Sequence, residues 1–112
     1  MAVDIWRFRM EVDDVDLSDF VVEASDGEIG KVDRATVEAG GDALIVDTGP
    51  LVFGRKVMLP FGTVERVDPE NRRIFVDRTK DEIKDAPEYD SSGYAQQEYR
   101  IALAEYYARF YG

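Results

Sequence analysis

The amino-acid sequence predicts a mainly β protein: a small antiparallel β-barrel of about six strands followed by a C-terminal α-helix. Three observations carry this expectation. Short β-branched and aromatic runs recur between Phe20 and Arg78, each closed by Gly, Pro, Asp or Asn. No helical stretch interrupts them, so neighbouring strands are joined by tight turns rather than crossovers. From Tyr94 to Tyr111 the chain has neither Gly nor Pro and places apolar residues at helical spacing.

The elements follow in order. Residues 20–24, Phe-Val-Val-Glu-Ala, read as a strand. Asp26-Gly27 then signals a tight hairpin, of the type I′ form that needs positive φ. Residues 29–37 form the next strand. Its apolar positions Ile29 and Val32 are three apart rather than two, and Gly30 between them points to a bulge that bends the strand. Gly40-Gly41 makes a turn, and the apolar run at 43–47 reads as a central strand. Thr48-Gly49-Pro50 ends it. Residues 55–60 follow, with Val57 and Leu59 facing one way and Lys56 and Met58 the other. Residues 62–67 form a further strand. Asp68-Pro69-Glu70-Asn71 is a turn with Pro suited to its second position, and 73–77 closes the set with Ile74 and Val76 on one face.

Beyond the strands, Thr79-Lys80-Asp81-Glu82 has the capping-box pattern and opens a short helix that must stop near Ala86-Pro87. Residues 90–93, Asp-Ser-Ser-Gly, read as a loop. In the final helix Tyr99, Leu103, Tyr106 and Phe110 share a face, Glu105 and Arg109 make an i,i+4 pair, and Tyr107 and Tyr111 look towards another side. The chain therefore divides into an acidic leader at 1–19, a barrel at 20–90 and a helical aromatic tail at 91–112.

Composition narrows the function classes. At 112 residues and 45% hydrophobic, the chain has material for one core. It contains neither Cys nor His, which removes disulfides, thiolate metal sites, a cysteine nucleophile and any histidine base. The net charge is −10, and residues 11–28 hold eight carboxylates and no basic residue. Such a face repels a phosphate backbone, so no nucleic-acid partner is expected. No segment reaches the roughly 18 apolar residues of a membrane helix, and Met1-Ala2-Val3-Asp4-Ile5 has no signal-peptide character. No membrane insertion is expected, and the expected compartment is the cytoplasm.

The search for chemistry returns little. Asp14, Asp16 and Ser18 have the 1-3-5 spacing of a calcium loop, but Asp19 stands where that loop needs Gly and Ser25 where it needs Glu. Asp26 and Glu28 are better explained by turn formation than as an acid/base pair. Ser25, Ser91 and Ser92 have no histidine partner. Lys31 and Lys56 read as solvated partners of carboxylates. No phosphate-binding glycine motif is present. The expectation is a protein with no catalytic residues, no metal and no cofactor.

Three segments, taken together, resemble one family. Residues 26–32, DGEIGKV, are similar to the DGEKIGKV opening of PRC-barrel domains. Residues 46–49, VDTG, followed by 54–60, GRKVMLP, resemble the family's VDTG…GRKVLLP centre. Residues 76–89, VDRTKDEIKDAPEY, resemble its closing VDxTKEQVKDAPEYD. The likeness runs in consistent order from Phe20 to Asp90. It implies a barrel of about six strands and a non-enzymatic adaptor or assembly module. The family includes the H subunit of photosynthetic reaction centres and the RimM ribosome-maturation factor. The first has a membrane helix and the second an added N-terminal domain; neither is expected here, so the resemblance implies a stand-alone member.

Two surfaces are candidates for protein contact. One is the apolar tip Leu51-Val52-Phe53 between Gly49-Pro50 and Gly54, which either plugs the barrel end or meets a partner. The other is the tail, with Tyr99, Leu103, Tyr106, Tyr107 and Phe110, whose aromatic face must be buried on its own barrel or on a second copy. Tyrosines on more than one side of the helix favour a second contact, and so a homodimer. A small-ligand barrel is the alternative expectation, and an enzyme using carboxylate acid/base chemistry the third. A barrel filled by Leu44, Val46, Val57 and Leu59 would speak against a ligand cavity.

Overall fold

The computed structural model describes residues 4–8, 16–33, 42–52, 54–89 and 96–111. The predicted Gly40-Gly41 turn, the end of the second strand, the Asp14 position and the Ser91-Ser92-Gly93 loop lie outside these residues. Six strands form one sheet: β1 (Val21–Ala24), β2 (Gly27–Val32), β3 (Ala43–Asp47), β4 (Lys56–Pro60), β5 (Val64–Asp68) and β6 (Arg73–Val76). A one-turn helix α1 (Gly49–Val52) lies between β3 and β4, and α2 (Lys80–Lys84) and α3 (Gln96–Ala108) follow the sheet. The strand order is β4-β3-β2-β1-β6-β5, rolled into a half-barrel. The mainly β class and the C-terminal helix agree with the sequence.

The all-antiparallel expectation is corrected at one place. Four pairings are antiparallel, but β1 and β6 run parallel, with Val22 opposite Ile74. The cause is the 3-10 turn Phe61–Thr63 between β4 and β5. It carries the chain from one sheet edge to the other without reversing it. Pro60 and Val64 on either side are both extended, and the Thr63 hydroxyl donates to the Pro60 carbonyl at 2.8 Å. With β5 continuing in the direction of β4, β6 returns alongside β1 in the same sense.

The first hairpin is also not type I′. Ala24 pairs with Gly27, so Ser25 and Asp26 are the turn residues, and neither has positive φ. Gly27 takes that role one position later, at φ 141°. The turn is held from outside: Ser25 N–H donates to the Arg78 carbonyl at 3.0 Å, and the Asp26 carboxylate accepts from Lys80 N–H at 2.9 Å. The bulge does occur where expected. The β1–β2 register slips between Val22 and Glu23, opposite Ile29, so Ile29 and Val32 both point inward. At Gly30 the bent strand crosses the β3 end so closely that a Cβ would lie 2.1 Å from the Asp47 carbonyl oxygen.

The core is continuous from sheet to helix. Leu44 pairs with Leu59 and Val46 with Val57, and all four are buried inside the roll with Val22, Ile29, Val32, Val64, Ile74 and Val76. Each such side chain contributes about 1.5–3 kcal/mol. Ile45 and Met58 pair on the opposite side of β3–β4 and are also buried, so that side is covered as well. This differs from the alternating pattern expected of β4, because a covered sheet takes apolar residues on both faces. Residues 4–8, from the segment read as a leader, join the same core: Ile5 is buried, its carbonyl accepts from Gly62 N–H at 2.7 Å, and the Phe8 ring stacks on Phe61 with centroids 3.9 Å apart.

The capping box of α2 forms as predicted. The Thr79 hydroxyl accepts from Glu82 N–H at 3.1 Å, and the Glu82 carboxylate accepts from Thr79 N–H at 2.8 Å. The Asp68–Asn71 turn forms too. Asn71 donates from its amide and its backbone to the Asp68 carboxylate, and these bonds hold the Asp68 pKa below its ordinary value.

Candidate interaction surface

The tail helix buries its face against its own chain. Tyr99, Leu103 and Tyr107, spaced by four residues, are all buried within the common core. Tyr106 and Phe110, expected at the centre of that face, are half-buried at its margin. Tyr107 follows Leu103 by four residues and therefore sits on the same face rather than another. That removes the expected surplus of uncovered tyrosines. Tyr111 is engaged as well, its hydroxyl donating to the Asp77 carboxylate.

Polar groups fasten α3 along its length. Near the N-terminal end, Arg100 pairs with Asp42 at 2.5 Å and lies 4.0 Å over the Trp6 ring. Midway, the Tyr106 hydroxyl donates to the Glu82 carbonyl of α2 at 2.6 Å. Just past the C-terminal end, the Arg78 guanidinium covers Phe110 at 4.6 Å and Tyr111 at 5.0 Å. Arg78 also pairs with Asp77 at 3.4 Å and Glu82 at 3.5 Å. Arg109, expected to pair with Glu105, lies instead 4.8 Å over the Tyr106 ring. Burial raises the pKa of Tyr99 and of Tyr107. For Tyr106 burial leads again, aided by the carboxylates of Asp85 and Glu82.

The other predicted surface is only partly described. Val52, at the end of α1, is 42% exposed. The Leu51 side chain and Phe53 lie outside the described residues. The loop is closed at its base, where the Thr48 hydroxyl donates to the Arg55 carbonyl at 2.5 Å and Gly54 N–H to the Gly49 carbonyl at 2.9 Å. Ile101, 55% exposed on the outer side of α3, is an apolar position that sequence reasoning missed. Helical spacing could have found it, since Ile101 lies about 100° or more from Tyr99, Leu103 and Tyr107 on a helical wheel.

The three motif segments meet in space. Asp26 of the first bonds to Lys80 of the third. Arg55 of the second donates to the Lys84 carbonyl at 2.7 Å and pairs with Glu88 at 3.4 Å, both in the third. Lys56 of the second pairs with Asp33 at 3.0 Å, just after the first, and this bond raises its pKa. Among the described residues, no three Asp, Glu, His or Cys side chains converge as metal ligands, and no helix is long and apolar enough to cross a membrane. Neither a family model nor a curated protein matches this chain.

Proposed function

We propose that this chain is a PRC-barrel-type module without catalytic activity, which works in the cytoplasm by protein contact and self-associates. The observation that carries the reading is how the motif residues are used. Asp26 holds the first hairpin to α2, Arg55 holds β4 to the segment after α2, and Thr79 with Glu82 caps α2. Those polar groups fasten elements of a scaffold to one another, and a scaffold acts through its outer surface. Val52 and Ile101 are the large apolar side chains most exposed on that surface among the described residues. The filled interior counts against the small-ligand alternative, because Leu44, Val46, Val57 and Leu59 occupy the space a ligand would need.

The test is light scattering coupled to size exclusion on the full chain at high micromolar concentration. It is run beside pull-downs with the wild-type, Val52→Asp and Ile101→Asp proteins as bait. A dimer, or a partner lost with either substitution, supports the reading. A monomer whose captured proteins are the same for all three baits counts against it.

A further inference from the structure

Among the described residues, the buried side-chain polar atoms without a hydrogen-bond partner gather along one seam. They are the Tyr99 and Tyr107 hydroxyls, Asp42 Oδ1 and Arg55 Nε. Both tyrosines lie on the buried face of α3. Asp42 is the carboxylate that receives Arg100 of α3, and Arg55 is close enough for its charge to act on Tyr99. The Tyr99 hydroxyl approaches the Met58 main chain without closing a hydrogen bond. The barrel itself is different: its buried polar side chains Thr48 and Thr63 both donate to main-chain carbonyls.

A buried donor without an acceptor costs free energy that an apolar group of the same shape does not. The boundary between α3 and the barrel therefore carries a cost that the barrel interior does not, which favours its opening before the sheet does. Opening bares Tyr99, Leu103 and Tyr107 on the helix, and Met58 on the outer side of β3–β4, which Tyr99 approaches. It also frees a matched set of anchors: Asp42 for Arg100, the Glu82 carbonyl for Tyr106, and Arg78 with Asp77 for Phe110 and Tyr111. The occupant with that pattern of rings, hydroxyl and guanidinium is another α3.

We infer that α3 exchanges between two copies of the chain, each tail helix docking on the outer β3–β4 side of the other barrel. This rests on the self-association proposed above and gives it a route through the inner face of α3, separate from the exposed Val52 and Ile101.

Charge reversal tests it on full-length protein. Asp42→Arg and Arg100→Asp each place like charges at the clasp within one chain. Mixed, the two proteins restore opposite charges at both clasps only if the helices exchange. A 1:1 heterodimer on native mass spectrometry, exceeding either homodimer, is the expected result. A mixture containing only the species present in each sample alone overturns the exchange. In that case a wild-type dimer leaves self-association standing through another surface, whereas a wild-type monomer at high micromolar concentration removes both. Amide exchange on the unmodified protein guards against misfolded variants. Amides of α3 are expected to exchange at least about tenfold faster than those of β3, and equal protection overturns the inference.

Discussion

The Asp26 carboxylate accepts a hydrogen bond from the Lys80 N–H, joining the first hairpin turn to the first turn of α2 across 54 residues of sequence. It acts as an external cap on a helix that already has its own capping box. Asp26→Ala is expected to cost about 0.5–2 kcal/mol, the usual range for a lost cap. Urea denaturation followed by circular dichroism measures this, and a loss well below that range would show that the contact is not maintained in solution.

Gly30 is expected to be the least replaceable glycine of the barrel. A methyl group there meets the Asp47 carbonyl oxygen at 2.1 Å and the Thr48 Cα at 2.8 Å, both backbone atoms at the end of the neighbouring strand β3. Gly30→Ala should cost more than about 3 kcal/mol, because two strands must separate. Gly49→Ala is the control: its φ is 68° but nothing lies within 4 Å, so about 1 kcal/mol is expected. Thermal unfolding of the two variants should separate them clearly.

Two adjacent tyrosines should respond oppositely to loss of a hydroxyl. Tyr106→Phe removes the bond to the Glu82 carbonyl and is expected to cost about 1 kcal/mol. Tyr107→Phe removes a buried hydroxyl that has no partner and should be neutral or stabilising. Tyr107→Ala, which empties the same site, should cost about 3–5 kcal/mol. Denaturation midpoints of the three variants give the order directly.

Alkaline pH should unfold the protein through its tail. Burial raises the Tyr99 and Tyr107 pKa values above the ordinary 10.0, whereas in the unfolded chain both ionise near it. The neutral folded form is fully favoured below about pH 10, and that advantage is lost as pH rises above it towards the folded-state values. Stability should fall steeply there, with phenolate absorbance appearing together with loss of helix. The Tyr99→Phe/Tyr107→Phe double variant should shift the transition to higher pH; an unchanged transition would contradict the assignment.

Much of the local chemistry was legible in the sequence, the type of the first hairpin turn and the Glu105–Arg109 pair excepted, and distant pairing was not. The Gly30 bulge, the Thr79 cap and the Asp68–Asn71 turn each depend on residues within a few positions of one another, and each forms. The parallel β1–β6 pair depends on whether Phe61–Thr63 reverses the chain, and neither strand carries that information. On α3 the helical period placed the buried face within one residue, but tyrosines at 106 and 107 left its centre open, since either ring suits a core margin. The fastening partners Trp6, Asp42 and Arg78 are ordinary surface residues by pattern. Only the fold brings them to the tail.

The parallel pairing also sets an order of events during synthesis. β1 gains its second neighbour only once Arg73, Ile74 and Phe75 have emerged, some fifty residues after it. Until then a nascent chain can hold the β1–β2 and β3–β4 hairpins but cannot roll the sheet. Its inward residues Val22 and Ala24 wait on an unfinished edge. Loop closure over that span must come before the contacts that reward it, which slows folding relative to a simple succession of hairpins. The last strand to be made joins β5 to the rest of the sheet through its parallel pairing with β1, so the roll is completed only after β6 has emerged.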